Sequence, residues 1–293
     1  MSASVDRVIE LPEAIRGFLT ADAFKDLADR IQRGEAVTKV TGRYVVKVRT
    51  MAQPYYLKTL DNERRFLTLG PDLPIGLPKV VFADFTEARG ILVLEMIEGR
   101  ALAERREDGG LAWSVQQDVL GRIAMMQRTA LPKGWAGAHD RNAKVHQYLA
   151  ALSSSGEEFA KDVVRALQSA VGRLGVGVDP VISHGDLHPM NVLRSDDRFW
   201  FIDWEYAGIR PASFDPATFV IYANDPRAGV MRLPLVGGPW NVRELYEDAF
   251  VLAARQVKNW LTQEPTGTLS RVRAAVWAET VKLLAEPDRL DLR

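Results

Sequence analysis

The chain has 293 residues, 47% hydrophobic and 26% charged, which is the composition of an ordinary globular protein long enough to bury a sizeable core. Lysine plus arginine equals aspartate plus glutamate at 38 each, which removes the electrostatic reason to expect a nucleic-acid or anionic-membrane partner, and the absence of cysteine excludes a disulfide framework. The first residues, Met1-Ser-Ala-Ser-Val-Asp-Arg7, lack the apolar core of a signal peptide, and Ile91-Leu-Val-Leu-Glu-Met-Ile97 is too short to cross a bilayer, so a cytoplasmic protein with no membrane partner is expected.

Helical spacing runs from about Leu11 to Arg33. Glu35–Val40 and Arg43–Val48 are short β-branched runs around Thr41-Gly42, and they predict an antiparallel hairpin. Pro54 suits a first helical position, and the helix it opens is expected to end at Gly70. Lys79–Ala83 and Gly90–Met96 read as two more strands. After Glu98-Gly99 the pattern turns helical: Val115, Val119, Ile123 and Met126 recur at helical spacing, as do Phe159, Val163, Leu167, Ala170 and Leu174. Ser155-Gly-Glu-Glu158 resembles a capping box opening the second of these helices. The expected organisation is α+β: a small N-terminal sheet lobe over residues 1–94, a hinge at 95–99, and a larger, mainly helical lobe over 100–293. A cleft between lobes is a usual place for a nucleotide.

The most informative segment is His184-Gly-Asp-Leu-His-Pro-Met-Asn191, followed by Phe201-Ile-Asp-Trp-Glu205. His184 and His188 are four apart, as helical zinc ligands would be, but Gly185 and Pro189 oppose a helix, and a proline inside one costs roughly 3 kcal/mol. With no cysteine and four histidines, a closed zinc site also lacks ligands. Asn191–Arg194, Ser195–Arg198 and Phe199–Ile202 read instead as strand, polar turn and strand. That places Asp186 and Asn191 on a loop and Asp203 behind the hairpin, an arrangement suited to phosphoryl transfer. Asp186 would orient the attacking hydroxyl and take its proton, while Asn191 and Asp203 would offer hard oxygens to Mg2+. His184 is expected to hold the loop; His188 could hold it or act in the chemistry.

These two motifs closely resemble those of the aminoglycoside phosphotransferase and choline kinase superfamily. The resemblance implies a bilobal, protein-kinase-like fold, ATP (or GTP) with Mg2+, a small hydroxylated substrate, Asp186 as catalytic base, and Asn191 and Asp203 as metal ligands. It extends more loosely from about Gly34 to Phe219. It also implies a strand lysine on the ATP phosphates paired with a helix glutamate, for which Lys47 and Glu63 fit. Lys47 falls on the Val45 face of its strand, opposite Tyr44 and Val46. Lys58 competes for that role, but on a helix it is five residues from Glu63, a spacing that does not meet well. The segment Glu95-Met-Ile97 matches the family's adenine hinge, with Glu95 and Ile97 as its contacts. Gly34 stands where a phosphate-covering turn would lie, and neither a G-x-G-x-x-G loop nor a P-loop is present. Asp215, in Pro-Ala-Ser-Phe-Asp215, is expected to brace the catalytic loop.

The alternatives are a non-catalytic nucleotide-binding protein and a protein-kinase-like regulator. Asp-Trp-Glu in place of Asp-Phe-Gly and the absence of an Ala-Pro-Glu segment oppose the second. The aromatic and acidic residues after Phe219, among them Tyr222, Trp240, Tyr246, Trp260, Glu244, Glu247 and Asp248, could receive a cationic amine, although core aromatics and a solvated helix face are the commoner meaning of such a pattern.

Overall fold

Pro12 precedes a 3-10 turn, Glu13–Phe18, and Leu19 then runs extended before α1 (Ala21–Gln32) begins. The continuous helix expected from Leu11 to Arg33 is therefore broken in two. The cause is Thr20, whose hydroxyl accepts a hydrogen bond from the Ala23 amide at 3.2 Å and starts the helix afresh. Gly34 ends α1 with φ of +75° and its amide bonded to the Ile31 carbonyl at 2.9 Å. Gly34 is thus a helix stop rather than a phosphate-covering turn, because its left-handed conformation is what closing the helix requires. The structure, a computed structural model, describes residues 11–69, 73–104, 110–130, 140–175, 180–196, 198–262 and 268–286.

The strands that follow are β1 (Val37–Val40) and β2 (Tyr44–Thr50), then α2 (Pro54–Leu69), β3 (Val80–Phe85), β4 (Arg89–Glu95) and the short β5 (Arg100–Ala101). The expected helix end at Gly70 falls outside the described residues. Strands β1, β2, β4 and β3 form an antiparallel sheet in that order, with Lys47 opposite Leu92 and Val46 opposite Val93. Alternation along β2 divides its side chains. Val46 and Val48 join Ile91, Val93, Leu27 and Ile31 in one buried cluster, each fully covered, and each such side chain contributes roughly 1.5–3 kcal/mol. Val45 packs on the other face with Leu60, Leu92 and Leu94, beneath α2, and Lys47 shares that face.

The remaining elements are α3 (Trp113–Gln127), α4 (Arg141–Leu152), α5 (Glu158–Ala170), β6 (Pro180–Ser183), β7 (Val192–Ser195), β8 (Arg198–Phe201), β9 (Gly208–Pro211), α6 (Phe214–Tyr222), α7 (Pro226–Arg232), α8 (Val242–Thr262) and α9 (Thr268–Ala285). Helix α5 is capped by Glu157 without a side-chain bond to the helix, and Ser155 accepts only from the Glu157 amide at 3.3 Å. The capping box expected there does not form, because the helix starts three residues past Ser155 and the hydroxyl closes a turn outside it.

The chain divides into two compact units: residues 1–100 with 193–207, and residues 101–192 with 208–293. In the first, the β7–β8 segment is tied to the N-terminal chain through Gly76, whose amide and carbonyl bond Phe199 and Phe201 of β8. A Cβ on Gly76 would lie 2.3 Å from the Trp200 ring, so only glycine permits this approach. In the second, α8 packs against α9, α4 and α6, and β6 pairs antiparallel with β9.

Candidate active site

In the first unit, Lys47 lies at the centre of a charge cluster. Its Nζ donates to Glu63 Oε2 at 2.7 Å and to Asp203 Oδ1 at 2.6 Å, and Glu205 Oε1 lies 3.8 Å away. Lys47 is 7% exposed and Glu63 fully buried, so each desolvated charge requires the other. Burial works against the Lys47 ammonium, but Glu63, Asp203 and Glu205 outweigh it and raise its pKa above the ordinary lysine value. Burial pushes the Glu63 carboxyl up to about 7, against the pull of Lys47. Lys58 is exposed on α2, so the pairing with Glu63 belongs to Lys47.

Asp203 takes a left-handed backbone conformation, φ 66° and ψ 57°, at the start of the 3-10 turn Trp204–Tyr206. A non-glycine residue held there is strained, and the surroundings fix it. Trp204 is fully buried, stacks on Phe66 of α2 at 4.2 Å, and donates its indole N–H to the Phe201 carbonyl at 2.7 Å. The Trp204 amide donates to Glu63 Oε1 at 3.2 Å, so one carboxylate orients both the lysine and the aspartate segment. Glu205 was quoted in the motif but given no role by sequence. Its Oε1 accepts from Arg49 at 3.2 Å and its Oε2 from Thr59 at 3.3 Å, while Asn62 of α2 donates to the Glu205 and Ala207 carbonyls. Arg49, a second charged residue beside Lys47 in β2, was the available signal for it.

The expected hinge residues sit at the end of β4. Glu95 is exposed and its amide bonds the Lys79 carbonyl at 2.9 Å; the Met96 amide bonds Arg43 at 2.8 Å. Ile97 is half-buried, and among the described residues its amide has no hydrogen-bond partner.

In the second unit, the loop from His184 to Asn191 is held from below by Asp215. This fully buried carboxylate accepts from Ser183 Oγ at 2.9 Å, the His184 amide at 2.8 Å and the Gly185 amide at 3.1 Å. Asp215 therefore braces the loop as expected, and Gly185, at φ +83°, permits the turn that presents both amides. Asn191 Nδ2 donates to the Asp186 carbonyl at 3.0 Å, which leaves its Oδ1 as the remaining acceptor. His184 is fully buried, with Nδ1 3.4 Å from the Asp186 amide; His188 Nε2 is 3.6 Å from Asp186 Oδ2 and its ring meets Tyr222 edge-on.

Two arginines missed in the sequence complete this half. Arg255 of α8 reaches Asp186 Oδ1 at 3.4 Å. Arg141 of α4 is 1% exposed and grips Asp248 through two bonds, at 2.7 and 2.8 Å, with Glu247 at 3.0 Å and Ser213 at 3.2 Å. Glu247 and Asp248 are thus structural partners of a buried cation. Trp240 is likewise a core residue, bonded to Gln127 at 2.7 Å.

The fold is α+β and protein-kinase-like. Residues 28–238 match the phosphotransferase enzyme family, and the chain belongs to that family. It is similar to the choline/ethanolamine kinase family protein from Mesorhizobium loti, with TM-score 0.64 and 18% identity, covering 86% of this chain and 85% of that one. It is also similar to the choline kinase LicA from Streptococcus pneumoniae, with TM-score 0.62 and 20% identity, over 91% of this chain and all of that one. A stretch of 37 residues is 54% identical to protein LicA of Haemophilus influenzae, spanning 13% of this chain and 14% of that protein. The expected superfamily and fold class are both borne out. Among the described residues no helix is long and apolar enough to cross a membrane.

Proposed function

We propose that this protein is an ATP-dependent phosphotransferase that moves the γ-phosphate to a hydroxyl of a small molecule. The observation that carries the reading is the Lys47–Glu63–Asp203 cluster, in which Lys47 and Asp203 meet from 156 positions apart in sequence. A chain with a purely structural lysine there would have no reason to hold a strained aspartate against it.

Asp186 accepts the proton of the acceptor hydroxyl as its oxygen attacks the γ-phosphorus. The new O–P bond forms as the bond to the β–γ bridging oxygen breaks, giving a phosphate ester and ADP. Lys47 supplies a fixed cation to the phosphate oxygens, and Glu63 keeps its ammonium charged and aimed. Glu95 and Ile97 offer backbone groups to the base of the nucleotide. The donors suit magnesium: the Asp203 side chain is 44% exposed with one oxygen on Lys47, and Asn191 Oδ1 is a neutral hard oxygen turned away from its own amide contact. Bound there, magnesium would neutralise phosphate charge and orient the transferring group. The family and the neutral charge balance fit an enzyme acting on a small molecule rather than on nucleic acid.

Calorimetric titration of ATP with and without magnesium tests this reading. The native protein is expected to bind ATP more tightly with magnesium, and Asp203→Ala to lose that dependence. An Asp203→Ala protein with native magnesium dependence would overturn it.

A further inference from the structure

The similar structures named above are a choline kinase and a choline/ethanolamine kinase family protein, yet the neighbourhood of Asp186 is cationic. Arg255 is on α8, with Nη2 3.4 Å from Asp186 Oδ1, and its side chain is 26% exposed. Its Nε is buried with no hydrogen-bond partner among the described residues. Burial opposes the Arg255 charge, but Tyr222, Asp186 and Tyr148 around it raise its pKa and keep it a cation. One turn further along α8 is Lys258. Burial, then Arg255, then Lys144 of α4 push the Lys258 ammonium down, and α4 packs against α8. Among the described residues neither Lys144 nor Lys258 has an ion-pair partner. The acids in the first two turns of α8 are already committed: Glu247 and Asp248 to Arg141, and Glu244 to Ser213 at 3.4 Å.

A cationic amine placed here would meet like charges, and among the described residues the carboxylate in contact with Arg255 is Asp186, which the reaction needs for the hydroxyl. Resting on the phosphotransferase reading, we propose that the acceptor carries an oxyanion, a carboxylate or a phosphate, a few bonds from its reacting hydroxyl, and that Arg255, with Lys258 behind it, receives that oxyanion. A guanidinium fork suits either anion in two parallel hydrogen bonds. In this role Arg255 is a specificity-determining residue that does not itself take part in bond making. The contact to Asp186 gains a second meaning: an incoming oxyanion would compete for Arg255 and leave the Asp186 oxygen to the hydroxyl. The hydroxyl proton passes to Asp186, phosphate passes to the hydroxyl oxygen, and ADP leaves, so no other reactant is required.

The test is ADP release with magnesium and ATP across acceptors of matched skeleton and different charge: glycerate, glycerol 3-phosphate, glycerol and 3-aminopropane-1,2-diol, then larger hydroxy acids, phosphorylated alcohols, neutral sugars, choline and aminoglycosides. The anionic class should exceed its neutral counterparts in kcat/KM by about 100-fold, the scale of one buried charge-assisted pair. Comparing carboxylates with phosphates identifies which oxyanion is used. Arg255→Gln should collapse that preference, and Lys258→Gln should weaken it through KM, with thermal melting verifying that both variants fold. Best turnover of a cationic amine by the native protein, or an unchanged anion-to-neutral ratio in Arg255→Gln, overturns the inference. So does a protein that binds magnesium-ATP while no anionic acceptor turns over or raises its melting temperature. Failure to bind magnesium-ATP at all would instead overturn the phosphotransferase reading beneath it.

Discussion

Replacing Lys47 with methionine would remove the cation that, among the described residues, pairs with a fully buried carboxylate, Glu63, which Lys47 Nζ contacts at 2.7 Å. Breaking a buried pair by deleting one partner costs about 3–5 kcal/mol, because the other charge is left desolvated. Asp203 adds little to that loss, since its side chain is 44% exposed and water takes over its screening. A loss of about 3 kcal/mol in a chain of this size lowers the melting temperature by roughly 6 °C or more. The double variant Lys47→Met/Glu63→Gln should recover a good part of the loss, because a neutral amide needs no cation. The effect also has a pH signature. Burial holds the Glu63 carboxyl up at about 7 even with Lys47 present. A carboxyl whose pKa is higher in the folded state stabilises the fold below its unfolded value, and that contribution is lost as pH rises through the folded one. Removing Lys47 takes away a group that lowers this pKa, so the Glu63 part of the Lys47→Met deficit should open as pH rises past about 7 and keep widening towards about pH 9. The assay is thermal melting of the native protein and both variants, without nucleotide, across that range. A Lys47→Met protein that melts with the native one at the alkaline end, or a double variant no more stable than the single, refutes the reasoning.

Two further outcomes follow from the second unit. Asp215→Ala leaves the His184 and Gly185 amides and the Ser183 hydroxyl without their buried acceptor, at about 1–3 kcal/mol per unsatisfied group. Its signature should be a fall in kcat with little change in the affinity for magnesium-ATP, and an unchanged kcat would show that the loop does not depend on it. Arg141→Met removes the cation that Asp248 contacts at 2.7 and 2.8 Å and should cost about 3–5 kcal/mol in a denaturant titration, partly restored by adding Asp248→Asn. Full stability in the single variant would contradict the buried-network account.

The parts of the site that read well from sequence are those whose signal is local. His184 to Asn191 and Phe201 to Glu205 lie within one loop and hairpin, where a glycine, a proline and an apolar strand fix the conformation. Lys47 and Glu63 were implied by the family resemblance, and strand alternation added only the face on which Lys47 falls. What sequence left hidden was set by contacts between distant positions. Arg255 meets Asp186 across 69 positions and Arg141 meets Asp248 across 107. The only trace of the first in the sequence is a charge inside Leu252-Ala-Ala-Arg-Gln-Val257, an apolar run in which a cation needs a partner. The acids Glu247 and Asp248 suggested a surface for amines because their buried partner, Arg141, comes from another helix. Short-range competition explains the smaller misses: Thr20 restarts a helix that hydrophobic spacing alone carries through, and Ser155 turns onto the Glu157 amide instead of capping α5.

The central claim is that Asp186 accepts the hydroxyl proton during transfer from ATP. It is tested most directly by a single-turnover measurement with ATP labelled at the γ-phosphate and an accepted hydroxyl compound, comparing the native protein with Asp186→Asn. Label should pass to the acceptor in the native protein, and Asp186→Asn should bind magnesium-ATP normally while transferring about 10²–10⁴-fold more slowly. Transfer by Asp186→Asn at the native rate would contradict the account.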